Sequence, residues 1–229
     1  SLQRLKTDRI DLYQIHGFDA ATPLDEVARA LEDLVRSGKV VYTGICNLAA
    51  WQLALLLGSL PPGNPARPVS AQMYYSLIGR DIEHEVIPLC QHQNLAVMPW
   101  SPLAGGFLTG KYHADQQEFP EGSRYSTSQF GEFPPRNREL AHRVAESLRR
   151  LAAKHATEPA TIAIRWLLNQ PAVSSVIIGI RRLEQLQANV NATTLELPPE
   201  VWSELDELTR PPLLYPNWMI QRQARYRKL

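Results

Sequence analysis

The sequence predicts an α/β chain of the (β/α)8 barrel kind, holding about five strand–helix units and an extra C-terminal helix. Five largely apolar segments run up to a helical pattern, residues 10–16, 40–47, 69–75, 95–100 and 175–179; the first four end in a polar or aromatic residue, His16, Asn47, Tyr75 and Trp100, and the fifth in Gly179. In barrels of this kind the strand C-termini carry the reactive groups. Strand and helix alternate along the chain, which implies parallel strands with right-handed crossovers, and the strands are apolar along most of their length, as strands covered by helices are. The first strand begins at residue 10, so eight units do not fit, and two raw edges are expected, near Leu12 and near Ile177. Ser1 falls in what reads as the helix before the first strand, which points to a cut sequence.

The helices are announced by their ends. Thr22 is placed to cap a helix whose first residue is Pro23; Leu24, Val27, Leu31, Leu34 and Val35 form its apolar stripe, and Gly38 stops it. The same grammar recurs after Asn47 with Leu53, Leu56 and Leu57, after Asp81 with Val86, Ile87 and Cys90, and after Thr157 with Ile162, Ala163, Trp166 and Leu167. Pro198 and Pro199 open the extra helix, with Val201, Leu205 and Leu208 on one side. Residues 101–136, rich in Gly, Pro, Ser and aromatics, are too long for an idle connection and read as a lid over a ligand. Residues 211–229 read as a C-terminal tail whose basic end, Arg222 to Lys228, is solvated. With no linker or break in composition, residues 1–229 read as one partial barrel domain.

Composition narrows the function classes. The 229 residues carry a formal net charge of +1, with 44% hydrophobic and 21% charged residues, which supplies a core and gives no electrostatic reason to invoke nucleic acid. Cys46 and Cys90 have neither CxxC spacing nor further partners and read as reduced thiols, which favours a cytoplasmic setting. The longest apolar run, near Leu53 to Leu57, is far too short for a bilayer.

The strand ends offer His16, Asn47, Gln72 and Trp100. Hydrolysis by paired acids needs two facing carboxylates, and a site for an oxygen-ligated metal needs several, so this uncharged set suits neither. Amides that donate and accept at once suit a carboxamide, and an indole suits a flat ring, so the set is compatible with a nicotinamide. Each residue has an ordinary alternative: Asn47 as a helix cap, Gln72 as a buried amide, His16 and Trp100 as core. An aldolase-type barrel would want a lysine at a strand end, and none of these strands ends in one.

Six ordered motifs then resemble the aldo-keto reductases, bacterial-type members in particular: Asp11 to His16, Gly44 to Asn47, Gln72 with Tyr74 to Ser76, Trp100 to Leu103, Gly105 to Tyr112, and Gly179 to Asn189, with an ending at Tyr215 to Trp218 that also matches. The resemblance covers essentially the whole chain. It implies reversible hydride transfer between a nicotinamide and a small-molecule carbonyl or alcohol. His16 matches the histidine that orients the substrate oxygen, Asn47 and Gln72 the residues that grip the carboxamide, and Trp100 the ring that stacks on the nicotinamide. Cys46 stands where many members have serine, which implies a weaker contact.

The resemblance also places the cofactor's phosphates. Ser101, Leu103, Gly105 and Gly106 match the loop along the pyrophosphate, where glycines let backbone N–H groups approach anions. Gly179, Arg181 and Arg182 open a helix, and two arginines there favour the 2′-phosphate of NADP over NAD. Gln185 and Asn189 match adenosine-side positions, whereas Ala188 replaces a usual acidic residue. The family's proton donor, a tyrosine with a lysine and an aspartate on the first three units, has no counterpart here: Tyr13, Tyr42 and Tyr74 read as strand residues. The chain therefore reads as part of an NADP-dependent aldo-keto reductase, inactive alone and able to self-associate through its edges. The alternative is a non-catalytic relative that binds a nucleotide or a partner protein, as regulatory subunits of this fold do.

Overall fold

The computed structural model describes residues 1–112 and 133–226, and these fall into two compact units. The first comprises residues 1–73 and 85–98; the second comprises residues 74–84 and 99–229.

The first unit starts with a single helical turn, α1 (Leu2–Leu5), followed by β1 (Ile10–Ile15), α2 (Leu24–Arg36), β2 (Val40–Cys46), α3 (Ala50–Ser59), β3 (Ser70–Tyr74), α4 (Val86–His92) and β4 (Ala96–Trp100). Tyr74, Pro99 and Trp100, at the ends of β3 and β4, already belong to the second unit. The strands follow the order β1-β2-β3-β4. The β1–β2 and β2–β3 pairs are parallel, with Gln14 opposite Gly44, Gly44 opposite Ser70 and Cys46 opposite Gln72. Side chains alternate across a strand, so Gln14, Gly44, Cys46, Ser70 and Gln72 share one face. Leu53, Leu56 and Leu57 of α3 and Cys90 of α4 are buried, as their helical spacing requires. Arg67 ties α3 to the start of α4's connection by donating to the carbonyls of Leu57 and Leu60 and, at 2.6 Å, to Gln93 Oε1.

Two expected details, and the alternative reading of Asn47 as a cap, differ from the structure. Thr22 does not cap α2: its hydroxyl donates to Asp19 Oδ2 at 2.6 Å, and the helix follows Pro23 directly. Asn47 does not cap α3 either, because Ala49 is the cap, its N–H bound by Gln52 Oε1 at 2.9 Å. The expected fifth strand at residues 175–179 is not one. Ile177 N–H donates to Pro99 O at 2.9 Å, too little to make a ladder, so the sheet has four strands among the described residues. The expected edge at Leu12 does lie on an outermost strand, β1.

In the second unit a 3-10 helix (Ala104–Thr109) leads, after the undescribed residues, to α5 (Arg138–Lys154), α6 (Pro159–Leu168), α7 (Leu183–Asn191), α8 (Pro199–Thr209) and α9 (Asn217–Ala224). Sequence reasoning did not name α5, although Asn137 Oδ1 caps it at Leu140 N–H and Val144, Leu148 and Leu151 bury its inner stripe. Trp166 of α6 is 1% exposed and packs edge-on to Tyr75 at 5.6 Å. Arg80 stacks over the same indole, pairs bidentately with Glu83 and reaches Asp206 and Thr209 of α8, which ties the 74–84 segment to that helix. Where a tail was expected, residues 217–224 form α9, which includes Arg222; residues 227–229 lie outside the described residues.

Candidate functional site

Polar side chains on the inner row of the first unit form a chain of hydrogen bonds. Gln72 Nε2 donates to Gln14 Oε1 at 2.7 Å, and Gln14 Nε2 donates to Ser70 Oγ at 3.1 Å and points at Met98 Sδ at 3.7 Å. Gly44 makes room for the pair: a Cβ there would lie 2.5 Å from Ser70 Oγ and 3.0 Å from Gln14 Cγ. Just past the strand ends, Asn47 adopts a left-handed backbone with φ +55°, and its Nδ2 donates to the His16 carbonyl at 3.1 Å. Its own N–H donates to Gln72 O at 3.2 Å. These contacts bring His16, Asn47 and Gln72 together across three consecutive strands. His16 and Asn47 are exposed and Gln72 is half-buried.

Gln14, bonded to Gln72, is a member of this row that sequence reasoning passed over. The signal was there, since an amide two positions before His16 lies on the same face of the strand pattern as that histidine. Cys46 is 2% exposed, with its sulfur 4.0 Å from Gln14 Oε1. Burial raises its thiol above the ordinary value, and raises Cys90 to about 11, so neither is a ready thiolate at neutral pH.

In the second unit, Trp100 is half-buried, with Tyr74 at 5.1 Å and Phe133 nearly parallel at 5.7 Å. A ring stacking on the face that Phe133 covers has to displace it. Ser101, Ala104, Gly105 and Gly106 all have positive φ, a run that turns the loop tightly. Some of its N–H groups are spent inside the turn: Ala104 N–H donates to Ser101 O, and Gly106 N–H to Leu103 O. Lys111 Nζ would lie 3.1 Å from a Cβ on Gly106, which puts an ammonium beside this loop. Of the lid expected over residues 101–136, residues 113–132 lie outside the described residues.

Gly179, Arg181 and Arg182 are exposed ahead of α7, and Gln185 Oε1 accepts from the backbone N–H groups of both arginines at 2.9 and 3.2 Å. The guanidinium groups, rather than those N–H groups, are therefore what this turn offers an anion. Asn189, expected on the adenosine side, is 7% exposed. No group of three or more His, Cys, Asp or Glu residues suited to a metal occurs among the described residues, and no described helix is long and apolar enough to cross a membrane.

A profile of the Aldo/keto reductase family matches residues 1–210. The chain belongs to this family. An uncharacterized oxidoreductase, YrpG of Bacillus subtilis, is 36% identical over 208 residues, covering 91% of this chain and 61% of that protein. A putative voltage-gated potassium channel subunit beta of Schizosaccharomyces pombe is 32% identical, with 91% and 61% covered, and versiconal hemiacetal acetate reductase of Aspergillus parasiticus is 32% identical, with 95% and 62% covered. Among solved structures, the thermostable aldo-keto reductase Tm1743, crystallised with the inhibitor epalrestat, superposes with a TM-score of 0.69 at 26% identity, covering 90% of this chain and 62% of that one. That neighbour supports the barrel fold class. The chain spans about three-fifths of the length of these family members.

Proposed function

We propose that the chain contributes the nicotinamide-binding strand ends of an NADP-dependent oxidoreductase that reduces a small-molecule carbonyl or oxidises the corresponding alcohol. The observation that carries this reading is the run of uncharged donors and acceptors, Gln14, Gln72 and Asn47, linked across consecutive strands at 2.7–3.2 Å. A carboxamide needs partners that give and take hydrogen bonds without a net charge, and these amides fit that need. The nicotinamide, when bound, supplies or takes up the hydride.

The chain's own residues orient and hold. Asn47 and Gln72 grip the carboxamide, and His16, exposed just beyond β1, hydrogen-bonds and orients the substrate oxygen. Trp100 supplies an aromatic face for the nicotinamide, while Ser101, Leu103, Gly105 and Gly106 follow the pyrophosphate, with Lys111 adding positive charge. Gly179, Arg181 and Arg182 take the 2′-phosphate, because planar guanidinium groups bind phosphate bidentately, and Gln185 with Asn189 serves the adenosine end. The proton requires an acid that these residues do not provide. Burial raises the phenols of Tyr74 and Tyr75, the wrong direction for a proton donor at neutral pH. On this reading the chain by itself binds NADP(H) and lacks the factor of about 10²–10⁴ in rate that a positioned acid typically supplies.

The test is a fluorescence titration of the chain with NADPH and NADH. NADPH should bind more tightly, and Arg181→Glu should weaken NADPH about tenfold or more, the loss of one or two charge-assisted bonds, with little effect on NADH. Equal NADPH affinity in the variant and the parent removes the 2′-phosphate assignment.

The potassium channel subunit among the relatives favours one second reading, a chain that carries the nucleotide to bias a partner protein and performs no turnover. Nucleotide-dependent complex formation, without oxidation of bound NADPH by any aldehyde or ketone tried, would favour it.

A further inference from the structure

We propose that Gln14 is a positioning residue that fixes which atom Gln72 turns to the ligand, so that the site presents a carbonyl oxygen and selects an uncharged carboxamide over a carboxylate. The inference rests on the nicotinamide reading above and deepens it.

A glutamine amide is nearly symmetrical in shape, so only its neighbours decide where its oxygen and its nitrogen lie. For Gln14 they decide unequally. The Met98 thioether, 3.7 Å from Nε2, has no hydrogen to give and can only accept, so the NH2 group belongs on that side. The Cys46 thiol, 4.0 Å from Oε1, can donate weakly, so the oxygen belongs on the other. Ser70 Oγ, at 3.1 Å from Nε2, serves either orientation because a hydroxyl both gives and takes. The two sulfurs therefore set Gln14. Gln14 Oε1 in turn receives Nε2 of Gln72 at 2.7 Å, and a flipped Gln72 would set oxygen against oxygen. With its nitrogen held inward, half-buried Gln72 offers its Oε1, which takes no hydrogen bond among the described residues. An acceptor in that place welcomes the NH2 of a carboxamide and repels a carboxylate. The missing side chain of Gly44 supports the assignment independently, since any Cβ there would strike both Ser70 and Gln14, the two groups the relay needs.

The experiment measures equilibrium binding by tryptophan quenching, with oxidised NADP and with its analogue bearing nicotinate in place of nicotinamide. The parent chain should prefer the amide about tenfold or more, the scale of one hydrogen bond exchanged for a repulsion. Gln14→Met, which keeps the side chain's length but leaves Gln72 free to turn, should reduce that preference to about twofold. Met98→Leu conserves volume and is expected to fold, and it should lower the preference part-way. A merely structural role for Gln14 would lower the melting temperature of Gln14→Met and leave the ratio unchanged. That result overturns the proposal, as does an unchanged ratio in Met98→Leu should Gln14→Met fail to fold. If Asn47→Ala and Gln72→Ala bind both ligands as tightly as the parent, the nicotinamide site itself is wrong and the relay falls with it. If those two variants lose binding while the ratio ignores Gln14 and Met98, only the relay is wrong.

Discussion

Gly44 shows how much a single absent side chain decides. It lies in β2 between Gln14 and Ser70, and neither neighbour can yield without breaking the bond that joins them. Gly44→Ala puts a carbon 2.5 Å from Ser70 Oγ, so the variant should lose about 1–3 kcal/mol, the usual cost of overpacking. Denaturant unfolding checks this; a loss under 0.5 kcal/mol, as at an ordinary surface position, would show that the row has slack. The sequence made His16, Asn47, Gln72 and Trp100 legible because chemistry-bearing residues at strand ends stand out from apolar strands. It did not reveal that Gln14 and Gln72 are joined, since a bond between residues 58 apart depends on register, which no local pattern states. Nor did it show that Cys46 faces Gln14, because which neighbour a thiol meets is settled only when the strands pair.

Helices were easier to read than their ends. α2, α3, α4, α6 and α8 all bury residues of the stripes that their spacing announces, whereas Thr22 and Asn47 gave up the capping roles that their chemistry allowed. A cap is a competition for a side chain, and Asp19 and the His16 carbonyl won it. The expected strand at 175–179 shows the converse: a β-branched run supplies propensity, but a strand needs a partner, and one bond to Pro99 does not make a ladder. Between α5 and α8 there is a polar link. Glu204 accepts from Ser147 Oγ at 2.7 Å and pairs with Arg150. Burial pushes its carboxyl up, but the bonds from Arg150 and Ser147 outweigh that and hold it below the ordinary carboxylate value of 4.5. A carboxyl that is more acidic in the folded chain contributes stability above its unfolded pKa and loses it as pH falls through the folded value. Glu204→Gln should therefore melt below the parent at pH 7 and close much of that gap by pH 3, well under 4.5. A gap of the same size at both pH values would mean that the ion pair adds nothing to this join.

β1 is the outermost strand among those described, and its backbone invites a further partner. Ile10 N–H donates to Lys39 O, so in a parallel ladder the even residues of β1 turn their N–H and C=O toward β2, while Asp11, Tyr13 and Ile15 turn theirs outward. Beside this edge lies a hollow of about 320 Å³ lined in part by Leu2, Ile10, Tyr13, Leu34 and Val40, so unpaired backbone and apolar surface coincide. That combination predicts self-association, and it names the substitution that should relieve it. Asp11→Pro removes an outward N–H, leaves the bonds to β2 untouched and changes an exposed side chain, so it should cost no more than about 1 kcal/mol of stability. Leu12→Pro removes an N–H that faces β2 and should cost about 1–3 kcal/mol. Sedimentation velocity separates the effects. The parent should run partly as a species heavier than one chain, and Asp11→Pro should shift it toward the single chain at nearly unchanged melting temperature. Should Asp11→Pro associate as the parent does, chains meet through some other surface, and the outward groups of β1 do not drive the contact.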